Sequence, residues 1–187
     1  MVSNVTKKFE LVMDDTIKLS DGTILYRIRA LNAFSDIKPG DLGGYVEKES
    51  NLGVSGNAWV YGDAWVYGDA QVFEDACVSD NARVSDNACV SGNAQVYGNA
   101  RVYGDAQVYG NAWVYDNAQV SGDACVSGNA QVYGNAQVSE DACVSGNARV
   151  SGDAQVYGNA WVFGNARVSG DAQVYGNARV YGDAQVY

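Results

Sequence analysis

Four cysteines and a series of carboxylates are the side chains whose types and spacing could do chemistry in this sequence. Cys77, Cys89, Cys125 and Cys143 are separated by multiples of six residues. A thiol nucleophile needs a base beside it, and a metal centre needs three or four converging ligands. The chain has no histidine, which removes the commonest general base and metal ligand together. Most acids of the second half stand in Gly-Asp pairs, where solvation gives no cause for the raised pKa of a catalytic base. Residue types alone therefore lead us to expect no catalytic residue, no metal site and no cofactor.

The elements that must position these residues are repeats. Residues 98–115 read GNARVYGDAQVYGNAWVY, and every sixth residue from Ala58 to Ala184 is alanine, with valine two positions later throughout. The unit is Ala-x-Val-[Tyr/Ser/Phe]-[Gly/Asp/Glu]-[Asn/Asp]. In a strand, Ala and Val share one face while x and the Tyr/Ser position share the other. Gly-Asn and Gly-Asp are turn chemistry, glycine permitting positive φ and Asn or Asp being the next most tolerant. Each hexad is thus a short strand and a corner, and so short a period signals a solenoid. Apolar residues at helical spacing are absent, and a glycine in nearly every unit opposes a helix.

The spacing resembles the hexapeptide repeat of left-handed parallel β-helices, in which three hexads form one coil. The resemblance implies an all-β fold: a left-handed parallel β-helix, a triangular solenoid of 18 residues per coil over 52–187, with a small N-terminal β cap over 1–51. A second resemblance covers essentially the whole chain. TILYRIRAL, GDLGGYVEKESNL and GNAWVYGDAWVYGDA are similar to uncharacterised phage and prophage proteins, themselves similar to the YdcK putative acyltransferases. It implies a phage-encoded protein acting in the cytoplasm of a bacterial host. Acyltransferases of this fold typically use a histidine base between subunits of a trimer, and the related carbonic anhydrases bind zinc through histidines. A histidine-free chain supports neither mechanism, so the acyltransferase-like enzyme stands only as the alternative.

Threading at eighteen residues per coil makes the corners unequal. One stacks Asp69, Asp86, Asp105, Asp123 and then Glu140 with Asp141, an acidic edge suited to a basic partner. Another reads Gly-Asn at Asn93, Asn111, Asn129, Asn147 and Asn165. One face carries Trp65, Arg83 and Arg101, then Gln119, Gln137, Gln155 and Gln173. Another carries Tyr97, Tyr115 and Tyr133 in consecutive coils, with Trp113 beside Tyr115. Exposed aromatics favour protein contacts. Every repeat Ala and Val should be buried, and the x and Tyr/Ser positions exposed.

Charge narrows the partners. The net charge is −10; the first fifty residues are nearly neutral, whereas the repeat carries five Arg, no Lys and fourteen Asp/Glu. Such a surface repels nucleic acid and membrane phosphates. No apolar run could span a membrane, and MVSNVTKKFEL has no signal-peptide pattern. Scattered cysteines fit a reducing cytosol. The first fifty residues contain short strands in KFELVM, TIKL and TILYRIRAL with a turn at Ser20-Asp21-Gly22. The expected function is non-catalytic: a binding or scaffold protein that engages a host protein, with counter-defence inhibition as one form. The sequence stops within a hexad, so Val180, Val186 and Tyr187 are expected to contact a second copy, tail to tail, with a lateral trimer as the competitor.

Overall fold

The computed structural model describes residues 7–187. Residues 1–6, which open the cap segment and the stretch examined for a signal peptide, lie outside the described residues. Two long strands come first, β1 (Phe9–Lys18) and β2 (Ile24–Ala30), paired antiparallel. KFELVM and TIKL are one strand rather than two, because an irregularity between Val12 and Thr16 lets the ladder continue past Asp14-Asp15. The hairpin turns at Asp21-Gly22, where Gly22 has φ 96° and the Thr23 N–H donates to Asp21 Oδ1 at 2.9 Å.

The strand β3 (Leu42–Val46) joins cap to solenoid. It pairs antiparallel with β2 and, on its other side, parallel with Trp65–Val66. GDLGG provides the closeness this needs. A Cβ on Gly43 would lie 2.5 Å from Val60 O, and one on Gly44 would lie 2.6 Å from Ala64 O.

From there each hexad contributes a very short strand, usually only x and Val. Partners are eighteen residues apart: Gln119 pairs with Gln137 and Cys125 with Cys143, all in parallel. Three stacks result, one per face, each with eight solenoid strands; β1 and β2 extend the first to ten. The fold is a three-sided parallel β-solenoid of eight turns, capped by antiparallel strands. The first face carries the x residues Trp65 to Gln173, the second Gln71 to Arg179, and the third Trp59 to Gln185.

Alanine and valine fill the interior as the alternation requires, from Ala58 to Val174. The last turn departs from that expectation: Ala178 and Ala184 are exposed and Val180 and Val186 half-buried, because no further turn covers them. The outer positions are also less uniform than expected. Trp59 is buried under the edges of Phe9 and Phe34, at ring-centroid distances of 6.3 and 5.3 Å. Ser85 and Ser127 are buried too.

Backbone polarity explains the cap. Each turn donates its N–H groups to carbonyls of the following turn, as in Asn81 N–H to Gly98 O at 2.9 Å. Carbonyls of the first turn therefore need donors from outside the repeat. At the strand positions β3 supplies them, through the N–H groups of Tyr45 and Glu47. At the three corners long polar side chains do so. Lys8 Nζ donates to Gly56 O and Ala58 O (3.0 and 2.7 Å), and an Arg27 guanidinium nitrogen donates to Gly62 O at 3.0 Å. Asn51 Nδ2 donates to Gly68 O and Ala70 O at 3.1 and 2.8 Å.

Candidate functional site

The corners are where most of the polar chemistry lies. Left-handed φ belongs to the fifth residue of the hexad, near +70° for glycine, and the sixth residue does not share it. The expectation that Asn and Asp accommodate the unusual dihedral is corrected for that position. Five hexads carry an acid at the fifth place instead of glycine: Glu74, Asp80, Asp86, Asp116 and Glu140, at φ 60–61°. Four of these accept the backbone N–H of the glycine one turn on, as with Asp80 to Gly98 at 3.0 Å and Asp86 to Gly104 at 3.1 Å.

The sixth residue builds ladders. Asn93, Asn111, Asn129, Asn147 and Asn165 each donate Nδ2 to the Oδ1 one turn on, at 3.0–3.2 Å, and the run ends on Asp183. Asn99, Asn117 and Asn135 form a second run that ends on Asp153. A carboxylate accepts but cannot donate, so Asp is the residue that terminates such a ladder.

These bonds divide the proposed acidic edge. Its six acids are all exposed and lie along one corner, as threaded. Asp69 is paired with Lys48 at 2.6 Å, a hydrogen bond that holds its carboxyl below the usual range. Asp86 is engaged by Gly104, and Asp105 accepts from Asn87 Nδ2 at 2.8 Å. Among the described residues, Asp123, Glu140 and Asp141 have no ion-pair partner.

The aromatic set forms a true stack on the third face. Tyr97, Tyr115 and Tyr133 have centroids 4.9 Å apart and rings within 4° of parallel; Trp113 meets Tyr97 edge-on at 6.4 Å. Burial raises the pKa of Tyr97 and Tyr115, in Tyr115 with further help from the neighbouring tyrosines. The acidic corner and this stack are not adjacent, for the first face lies between them. Val180, Val186 and Tyr187 sit on the last turn, Tyr187 79% exposed.

Three of the four thiols have raised pKa values. Burial pushes Cys77 up to about 11, with Asp36 adding to it, and also raises Cys89 and Cys143. A thiol so held stays protonated at neutral pH. Among the described residues, no cluster of three potential metal-ligating side chains occurs.

Sequence reasoning placed Trp65, Arg83 and Arg101 on one face but assigned them no role. The structure makes them the side of a trough. A groove of about 270 Å³ holds Arg83 and Arg101 with Tyr67, Ser85 and Tyr103. A second, of about 360 Å³, shares Tyr67 and Arg83 and reaches Trp65 and Lys18 at the hairpin tip. The Arg83 guanidinium lies over the Trp65 ring, 4.1 Å from its centroid. The pairing at eighteen residues could have drawn attention to the two arginines, and the first groove is lined by residues at that same spacing; only the second groove draws a wall from the cap, which spacing could not show.

Comparison with known families agrees with this geometry. A model of the YdcK beta-solenoid repeat matches residues 94–106, 106–122, 118–134, 142–158, 154–170 and 172–187. No curated protein matches the chain. No helix among the described residues is long and apolar enough to cross a membrane. The chain is a hexapeptide-repeat β-solenoid protein, and the matched stretches of its second half are similar to the YdcK beta-solenoid repeat.

Proposed function

We propose that this chain is a non-catalytic binding protein that presents its solenoid surface to a partner protein. The stacked Tyr97–Tyr115–Tyr133 ladder with Trp113 carries the proposal, because half-exposed, pre-stacked aromatic rings offer contact area at little entropic cost. The free acids Asp123, Glu140 and Asp141 extend it, favouring a partner with a basic surface. Protonated, partly buried thiols and the absence of histidine favour binding over nucleophilic catalysis. The likeness of GDLGGYVEKESNL to phage and prophage proteins favours a partner in the cytoplasm of a bacterial host.

The experiment is affinity capture from that host with three proteins: wild type, Tyr97→Ser/Tyr115→Ser/Tyr133→Ser, and Asp123→Asn/Asp141→Asn. Serine already occupies the tyrosine position in other hexads, so the fold should persist. The expected result is a captured protein that the tyrosine variant loses. The asparagine variant should hold it more weakly and with less salt dependence. Equal capture by all three refutes the proposal, and turnover of acetyl-CoA by the wild type would replace it with the acyltransferase-like activity.

A further inference from the structure

We propose that the trough on the first face binds the phosphate group of a small phosphorylated molecule, held by Arg83 and Arg101. The observation is an arrangement of like charges. Arg83 and Arg101 are in-register partners on adjacent parallel strands, about 4.8 Å apart, where like charges destabilise a sheet. Among the described residues neither forms an ion pair. The repeat has fourteen acids with which to neutralise five arginines, yet these two face each other. An anion supplied from outside resolves that repulsion.

The surroundings fit an oxyanion. Stacking on Trp65 fixes the plane of Arg83 while leaving its N–H edge free, the geometry in which a guanidinium grips phosphate through two bonds. Tyr67, Ser85 and Tyr103 line the same groove, the Tyr103 hydroxyl within 3.5 Å of Gln119 Oε1, and the adjoining second groove brings Lys18 together with Asp21. Asp86 is the one carboxylate in the first groove, and its Oδ2 accepts from the Gly104 N–H and lies 3.5 Å from Ser85 Oγ. The aromatic rings of Trp65, Tyr67 and Tyr103 suit an aryl or heteroaryl ester better than the bare ion. A polyanion is disfavoured, because the repeat as a whole is strongly acidic.

A second register pair, Arg149 and Arg167 on the third face, also lines a groove, of about 200 Å³ with Tyr133, Ser151 and Ser169; neither of its arginines is stacked on an indole, so it is a control of equal charge for the Trp65 stack. Calorimetric titration at low salt would use inorganic phosphate and phenyl phosphate as probes. Both should bind saturably, with phenyl phosphate several-fold tighter. Arg83→Gln/Arg101→Gln should weaken both at least about tenfold, while Arg149→Gln/Arg167→Gln stays within about twofold. Arg83→Lys/Arg101→Lys keeps the charge and removes the fork, so it should also weaken binding. Equal affinity for the two probes would leave the phosphate site standing and assign it to the free ion. Absence of saturable binding, or equal weakening in the two glutamine variants, overturns the proposal; matched melting temperatures exclude unfolding as the cause.

Discussion

At the residue scale, the fifth and sixth places of the hexad follow different rules. An acid at the fifth place is always followed, one turn on, by glycine: Glu74 by Gly92, Asp80 by Gly98, Asp86 by Gly104, Asp116 by Gly134 and Glu140 by Gly158. A Cβ at this place points at the backbone of the next turn, 3.1 Å from Gly128 N in the case of Gly110. Gly110→Ala should therefore cost more than the roughly 1–2 kcal/mol of a left-handed alanine. Gly182→Ala, at φ 65° with open space around its Cβ, should cost only that backbone part. Equal losses in denaturant unfolding would refute the stacking argument. At the sixth place, Asn129→Asp keeps the bond from Asn111 and loses the one to Asn147. A destabilisation of about 1 kcal/mol is expected, and none is expected for Asp183→Asn, because that residue only receives.

At the scale of elements, the cap works by supplying donors as much as apolar cover. Asn51→Ala removes both bonds to the Gly68 and Ala70 carbonyls, and leaving buried carbonyls unpaired should cost about 1–3 kcal/mol, read from urea midpoints. Lys8 does the same service under strain. Burial lowers its pKa from 10.5 to about 8, with Asp75 opposing the shift. Between those values the unfolded chain holds a proton that the folded chain has released, so stability rises with pH through that window. Below about pH 8 the cost of the buried charge is present in full. Melting curves of wild type and Lys8→Met should thus diverge in favour of the wild type as pH rises from 8 to 10. Tyr61, held up to about 12 by burial, acts in the opposite sense above pH 10, but in both proteins alike. A constant difference across the window would show that Lys8 does not titrate as its burial requires.

At the scale of the whole molecule, the acidic repeat is self-repelling, and its corners bring carboxylates to within a turn of one another. Raising salt from about 0.05 to about 0.5 M screens such contacts, so the melting temperature should rise; a fall would mean that ion pairs such as Lys48–Asp69 outweigh the repulsion. The sequence by itself determined the strand-and-corner unit, the eighteen-residue register and the inward Ala-Val core. The strict six-residue period leaves one way to bury its small apolar residues. It also determined which acids and tyrosines share an edge, since stacking follows from counting. What a side chain does at its place was decided by the tertiary structure. Whether Asp86 is a free charge depends on the Gly104 amide one turn away, and whether Trp59 is exposed depends on Phe9 and Phe34 of the cap. The second groove, beside Trp65 and Arg83, likewise needs the hairpin tip to wall it. The cap contacts join residues that no repeat relates, and periodicity carries no information about them; the Asp86–Gly104 bond follows the eighteen-residue register but needs a side-chain geometry that counting does not give.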